Sequence, residues 1–150
     1  MKLYLVQHAE AKDKDEDPTR PLSGKGWNDI RNMASFFKGK IEVAKIVHSG
    51  KLRARQTAEE LNAVVSSSVE EVGGLAPLDD PGIWEERLRE ESEDTMIVGH
   101  LPHLGRLAGL LLANDPERKV IDFKMGGVVC LERDEGGNWS LQWMVTPEIL

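Results

Sequence analysis

The sequence predicts an α/β fold of three layers, α/β/α, with a mostly parallel sheet closed by an antiparallel C-terminal hairpin strand. Two observations carry that expectation. Short aliphatic runs alternate with segments whose apolar residues recur at helical spacing, the pattern of parallel strands joined by crossover helices. The C-terminal stretch breaks the alternation and shows two strand-like runs around a glycine-rich turn.

Taken in order, Lys2 to Gln7 (KLYLVQ) is a short aliphatic run followed at once by polar residues, which predicts a buried strand. Ala9 to Leu22 mixes charges with two prolines and supports neither periodic element, so an exposed loop is expected. Ser23 is placed as a helix N-cap, and Trp27, Ile30, Met33, Ala34 and Phe37 mark one face of a helix from Gly24 to Lys38. Ala44 to Ser49 (AKIVHS) and Leu52 to Asn62 repeat the strand-helix unit. Val69 to Val72 reads as a short strand, Pro77 to Gly82 as a turn, and the segment from Ile83 as a helix. Thr95 to His100 (TMIVGH) is the clearest third strand, followed by a helix whose first turn tolerates Pro102 and whose stripe is Leu104, Leu107, Ala108 and Leu111. The closing hairpin turns at Asp134 to Asn138.

No linker, repeat or low-complexity tract divides the 150 residues, so a single domain over 1–150 is expected, burying roughly two thirds of the surface of its unfolded chain. Cys130 is the only cysteine and can form no internal disulfide. The N-terminal apolar run is too short for a signal-peptide core or a membrane span, so the expected location is cytoplasmic with no membrane partner. A net charge of −7 without a Lys/Arg run speaks against nucleic acid as a partner. Oligomeric state is not legible.

In a parallel sheet, ligands bind beyond the carboxyl ends of the strands, where the following helices present their N-termini. Three strands end in chemically distinctive residues: Gln7-His8, His48-Ser49 leading into Lys51 and Arg53, and Gly99-His100. Two histidines and an arginine at one sheet edge suit phosphoryl transfer. A neutral imidazole can attack phosphorus while hydrogen-bond donors hold the nonbridging oxygens.

LYLVQHAEA, the RPLS segment from Arg20, HSGKLRARQTAEEL and MIVGHLPHLGRLAGLL, in that order and over nearly the whole chain, resemble the histidine phosphatase superfamily. The similarity is to its short phosphohistidine phosphatase branch, with a phosphoglycerate mutase-like fold. The resemblance implies His8 as the phosphorylated nucleophile, Arg53 as a phosphate-binding arginine, His100 as the second histidine on the phosphoryl group, and Arg20 as an additional phosphate ligand. It implies a protein-histidine phosphatase working without metal or other cofactor, on a phosphorylated protein or small phosphate. Arg55 matches no ligand position and is read as a solvated or salt-bridged side chain.

The departures are informative. The family motif Arg-His-Gly is Gln7-His8-Ala9 here, so Gln7 occupies a substrate-binding position with an amide in place of a charged fork. Gly50 replaces the usual proline after Ser49, which predicts a looser turn. His48 is read as a strand residue with a satisfied hydrogen bond, and His103 as either pocket-lining or superficial. Glu10, Asp79 and Asp80 are available carboxylates, but none has the setting of a general acid. That favours a substrate whose leaving group needs little help, because imidazole, with a conjugate-acid pKa of about 6.5, leaves far more readily than an alkoxide. The competing readings are a non-catalytic module that binds phosphate or phosphoproteins, which Gln7 would favour, and a small-molecule phosphomonoesterase.

Overall fold

A computed structural model describes residues 1–150. Its strands are β1 (Lys2–Gln7), β2 (Lys45–His48), β3 (Ser68–Glu71), β4 (Thr95–Gly99), β5 (Val128–Arg133) and β6 (Trp139–Val145). They form one sheet in the order β3-β2-β4-β1-β5-β6. β3, β2, β4 and β1 run parallel, and β5 pairs antiparallel with both β1 and β6. The helices are α1 (Gly24–Phe37), α2 (Leu52–Val65), α3 (Pro81–Glu90) and α4 (His103–Ala113). The three-layer expectation holds, as does the turn at Asp134–Asn138, where Asp134 and Asn138 bond to each other across the hairpin.

Alternation along β1 explains why the sheet is covered on both sides. Tyr4 and Val6 join one core with Ile46, Met96 and Val98 beneath α1 and α2. Leu3 and Leu5 join the other with Val47 and Ile97 beneath α3 and α4. Successive side chains of a strand point to opposite faces, so an unbroken aliphatic run is what a doubly covered strand requires. Each helix offers its apolar stripe to one core: Ile30, Met33, Ala34 and Phe37 from α1, and Leu104, Leu107 and Ala108 from α4. No helix is long and apolar enough to cross a membrane.

Local chemistry sets the element ends. Ser23 caps α1 by accepting from the Gly26 amide, as its sequence position suggests, and Asp80 caps α3 through Gly82. Gly26 also has a packing reason, since any Cβ there would collide with the Glu10 backbone. The segment between β1 and α1 departs from the exposed loop expected. Its ends turn inward, with Ala9 and Leu22 both buried, and an isolated bridge joins Ala11 to Leu22. The stretch between α4 and β5, which carries no periodic signal, buries Ile121 and Phe123 against the α3/α4 face.

Candidate active site

β1, β4 and β2 are adjacent and parallel, so their carboxyl ends share one edge. Gln7 pairs with Gly99 in register, and the His8 amide donates to the Gly99 carbonyl at 3.0 Å, carrying the ladder one step past β1. His8 and His100 therefore emerge side by side, with ring centroids 5.2 Å apart and planes inclined at 51°. Both are buried, at 8% and 2% exposure.

The state of His8 follows from its contacts. Nδ1 lies 2.7 Å from the Ala9 carbonyl oxygen, which can only accept, so Nδ1 carries the proton and Nε2 keeps its lone pair. Burial, reinforced by the Arg53 and Arg20 charges, outweighs that bond to Ala9 and lowers the His8 pKa to about 4. His100 is lowered to about 3 by burial first, then by the charges of His8, Arg53 and Lys51. Both rings are neutral at pH 7. His100 Nε2 shares a 2.6 Å hydrogen bond with Ser49 Oγ, and its buried Nδ1 has no partner.

The cations come from α2 and the loop before α1, the Arg53 charge acting on both rings and the Arg20 charge on His8. Arg53 lies in the first turn of α2, and Arg20 reaches it from the loop before α1; both line a cleft of about 610 Å³. Arg20 adopts a left-handed backbone (φ 49°), and its Nε donates to the Lys12 carbonyl at 2.9 Å. Burial and the nearby Arg20 charge both disfavour the Arg53 cation, and Arg53 Nε is buried without a partner. Two guanidiniums on one cleft offer paired donors to the oxygens of an anion. Neither α2 nor α4 has a side-chain N-cap, so free backbone amides at both helix starts add positive potential at this edge.

Gln7 is half-buried beside these groups, with its Oε1 buried and unpartnered. The structure thus brings His8, His100, Arg53, Arg20 and Gln7 to one edge of the sheet. Arg55 points away, exposed and 3.7 Å from Glu59, as the spacing along the helix suggests. His48 accepts from the Gly50 amide at 3.1 Å. The turn after Ser49 is not the loose one expected. Gly50 takes φ +89°, which proline cannot adopt, and the amides of Gly50 and Lys51 are tied to His48 and to Ser49 Oγ. His103 is neither pocket-lining nor superficial: it is fully buried, with both ring nitrogens unpartnered. Glu10 is held by Ser23 and Asp80 caps α3, while Asp79 reaches the cleft wall with one oxygen accepting from the Ala76 amide. No cluster of three or more His, Cys, Asp or Glu side chains has the geometry to hold a metal ion.

The supporting roles of three residues, Thr57, Ser49 and Gly126, escape sequence reading. Thr57, fully buried, accepts from the Ala9 amide at 3.0 Å and donates to the Arg53 carbonyl at 2.8 Å, so one hydroxyl ties the residue after His8 to the turn bearing Arg53. Ser49 orients His100. The Gly126 amide is shared by the carbonyls of Gln7 and His8 at 2.9 and 3.2 Å. The TA pair in RQTAEEL was a signal for Thr57, because a β-branched polar residue amid a helix's buried stripe needs a specific partner.

A doubly wound sheet with two neutral histidines and two arginines at its carboxyl edge defines a phosphoryl-binding α/β protein of the phosphoglycerate mutase type. Residues 3–96 match the family model of the histidine phosphatase superfamily (branch 1), and the chain belongs to that superfamily. It is 30% identical to the phosphohistidine phosphatase SixA of Escherichia coli (strain K12), over 98% of this chain and 94% of that protein. Among solved structures it is similar to the protein histidine phosphatase SixA complexed with tungstate, with a TM-score of 0.86 at 30% identity over 99% of both chains. The α-ribazole phosphatase from Shigella flexneri shares the fold, with a TM-score of 0.83 at 14% identity over 98% of this chain and 97% of that one.

Proposed function

We propose that this chain is a phosphohistidine phosphatase that works through a phospho-His8 intermediate. The observation that carries the reading is the tautomer of His8: with Nδ1–H held by Ala9, Nε2 keeps its lone pair on a ring that feels the charges of Arg53 and Arg20. Nε2 attacks phosphorus, the bond from phosphorus to the substrate's imidazole nitrogen breaks, and that nitrogen keeps the electron pair and takes a proton from solvent. Water then attacks phospho-His8, releasing inorganic phosphate and restoring Nε2. Arg53, Arg20 and His100 hold the nonbridging oxygens, Gln7 adds an amide donor, and the arginines supply the charge neutralisation a metal would otherwise give.

The site's lack of a poised acid supports an imidazole leaving group over an alkoxide. The names of the two SixA relatives, a phosphohistidine phosphatase and a protein histidine phosphatase, support the same substrate class, a histidine-phosphorylated protein, and we place the activity in the cytoplasm. The deciding experiment incubates wild type and His8→Ala with a phosphohistidine protein and with an aryl phosphate. Wild type should favour the phosphohistidine and yield a trappable phosphoenzyme on rapid acid-free quenching. A folded His8→Ala variant should do neither; substantial turnover by it would eliminate the covalent mechanism. Gln7 favours a second reading, a non-catalytic phosphate binder, which would bind phosphate yet give no phosphoenzyme.

A further inference from the structure

The cleft that holds Arg20 and Arg53 is larger than its phosphoryl group needs. A phosphoryl group displaces only a few waters, at about 30 Å³ each, and most of the roughly 610 Å³ remains for whatever carries it. The remainder is built of two kinds of surface. Beyond the two arginines stand Lys14 and Lys51, both exposed, so the lining carries four cations against one carboxylate, Asp79, on a chain whose net charge is −7. The acidic neighbours of Lys14, Asp13 and Asp15, do not line it. The same lining includes an apolar run, Ala76, Pro77 and Leu78, and Leu78 is the most exposed large hydrophobic residue of the molecule at 83%.

An apolar side chain left in water at the mouth of a cationic cleft contributes nothing to the fold, and its place beside the phosphate ligands gives it a partner to meet. Resting on the phosphohistidine reading above, we infer that this outer cleft is a docking surface for the protein carrying the phosphohistidine. It selects partners that present an apolar side chain and acidic residues next to the modified histidine. Leu78 covers the apolar residue, and Lys14 faces the acidic ones. Desolvated apolar anchors dominate such contacts, while rim charges mainly speed encounter and choose between partners. A small phosphoramidate reaches the arginines and His8 without touching either residue, so docking and chemistry separate by substrate size.

The test compares Leu78→Asp and Lys14→Glu with wild type on two substrates, a histidine-phosphorylated phosphotransfer protein and free phosphoramidate. Both side chains are exposed, so folding is not at stake. For the protein substrate kcat/KM should fall about tenfold in Leu78→Asp. In Lys14→Glu it should fall severalfold at low salt, the loss shrinking as salt rises. Phosphoramidate hydrolysis should stay within about twofold throughout. Unchanged protein turnover in both variants, or equal losses on both substrates, would overturn the docking surface while leaving the phosphatase reading standing. Wild type that hydrolyses phosphoramidate but leaves every phosphohistidine protein untouched would overturn both.

Discussion

Replacing Gln7 by arginine tests what the departure from Arg-His-Gly does to the site. In the present pocket the Gln7 Oε1 is buried and unpartnered, and an amide oxygen, like a phosphoryl oxygen, can only accept. Only the amide N–H₂ can help there. A guanidinium in its place offers charged donors in a fork, worth about 1.5 to 3 kcal/mol for a hydrogen bond to a charged group. If that contact is made in the transition state, turnover should rise roughly ten- to a hundredfold. The free protein should respond in the other direction. Partial burial first, and then the Arg20 charge, already disfavour the cation of the half-buried Arg53, so a third guanidinium nearby adds repulsion that an anion relieves. Gln7→Arg should therefore melt below wild type in phosphate-free buffer and recover with added inorganic phosphate. The assay is steady-state hydrolysis of phosphoramidate and an aryl phosphate at low salt, read as kcat and KM separately. A rise in kcat marks transition-state stabilisation, whereas a fall in KM alone marks uniform binding. A well-folded variant with unchanged or lower turnover would refute the reasoning and show a pocket organised around the amide.

Further outcomes are expected. Arg53→Ala should lower kcat/KM by at least tenfold, while Arg55→Ala, whose exposed pairing with Glu59 spans 3.7 Å, should leave it within about twofold; equal losses would mean the wrong arginine faces the phosphate. Because His8 is lowered to about 4, its nucleophile persists in mild acid. An ordinary imidazole would keep only about a tenth of its neutral form at pH 5.5. The acid limb of kcat/KM should thus lie well below pH 6, after correction for substrate ionisation, and a limb at 6.5 would contradict a buried neutral His8. The same shifts in His8 and His100 mean that the unfolded chain binds more protons below pH 6.5. Stability, measured by urea unfolding, should then decline as pH falls from 6.5 toward 4 and be insensitive to these two groups above it. Thr57→Val strips the buried Ala9 amide of its acceptor and should cost about 1 to 3 kcal/mol, a melting shift of roughly 3 to 10 °C, with activity lost beyond the change in folded fraction.

Much of the architecture was legible because both faces of the parallel strands are covered, which leaves aliphatic runs such as KLYLVQ and TMIVGH unmistakable. His8, His100 and Arg53 were legible for a related reason, since each stands where a strand ends or the next helix begins. Arg20 was visible only through family resemblance, because its reach depends on a left-handed backbone and a bond to the Lys12 carbonyl that no local pattern announces. Thr57 and Ser49 act through partners distant in sequence. His103 was misjudged from its place beside Pro102, although its position one turn before Leu107 put it on the buried stripe of α4. Ile121, Phe123 and Gly126 lie in an irregular segment where burial has no period to betray it.

The register that seats His8 beside His100 also sets when the site can exist. β1 precedes the other strands of the sheet, yet its neighbours are β4, which follows three helices and two other strands, and β5, which comes later still. Closing a parallel pair across so long an intervening chain carries a large loop entropy, which folding must meet before the contacts are rewarded. A nascent chain released before Gly99 holds the nucleophile but neither its ladder partner nor the second histidine. Phosphoryl chemistry is thereby withheld from incomplete chains, and recovery of activity during refolding should track the slow docking of β1 onto β4 rather than the earlier appearance of helical signal.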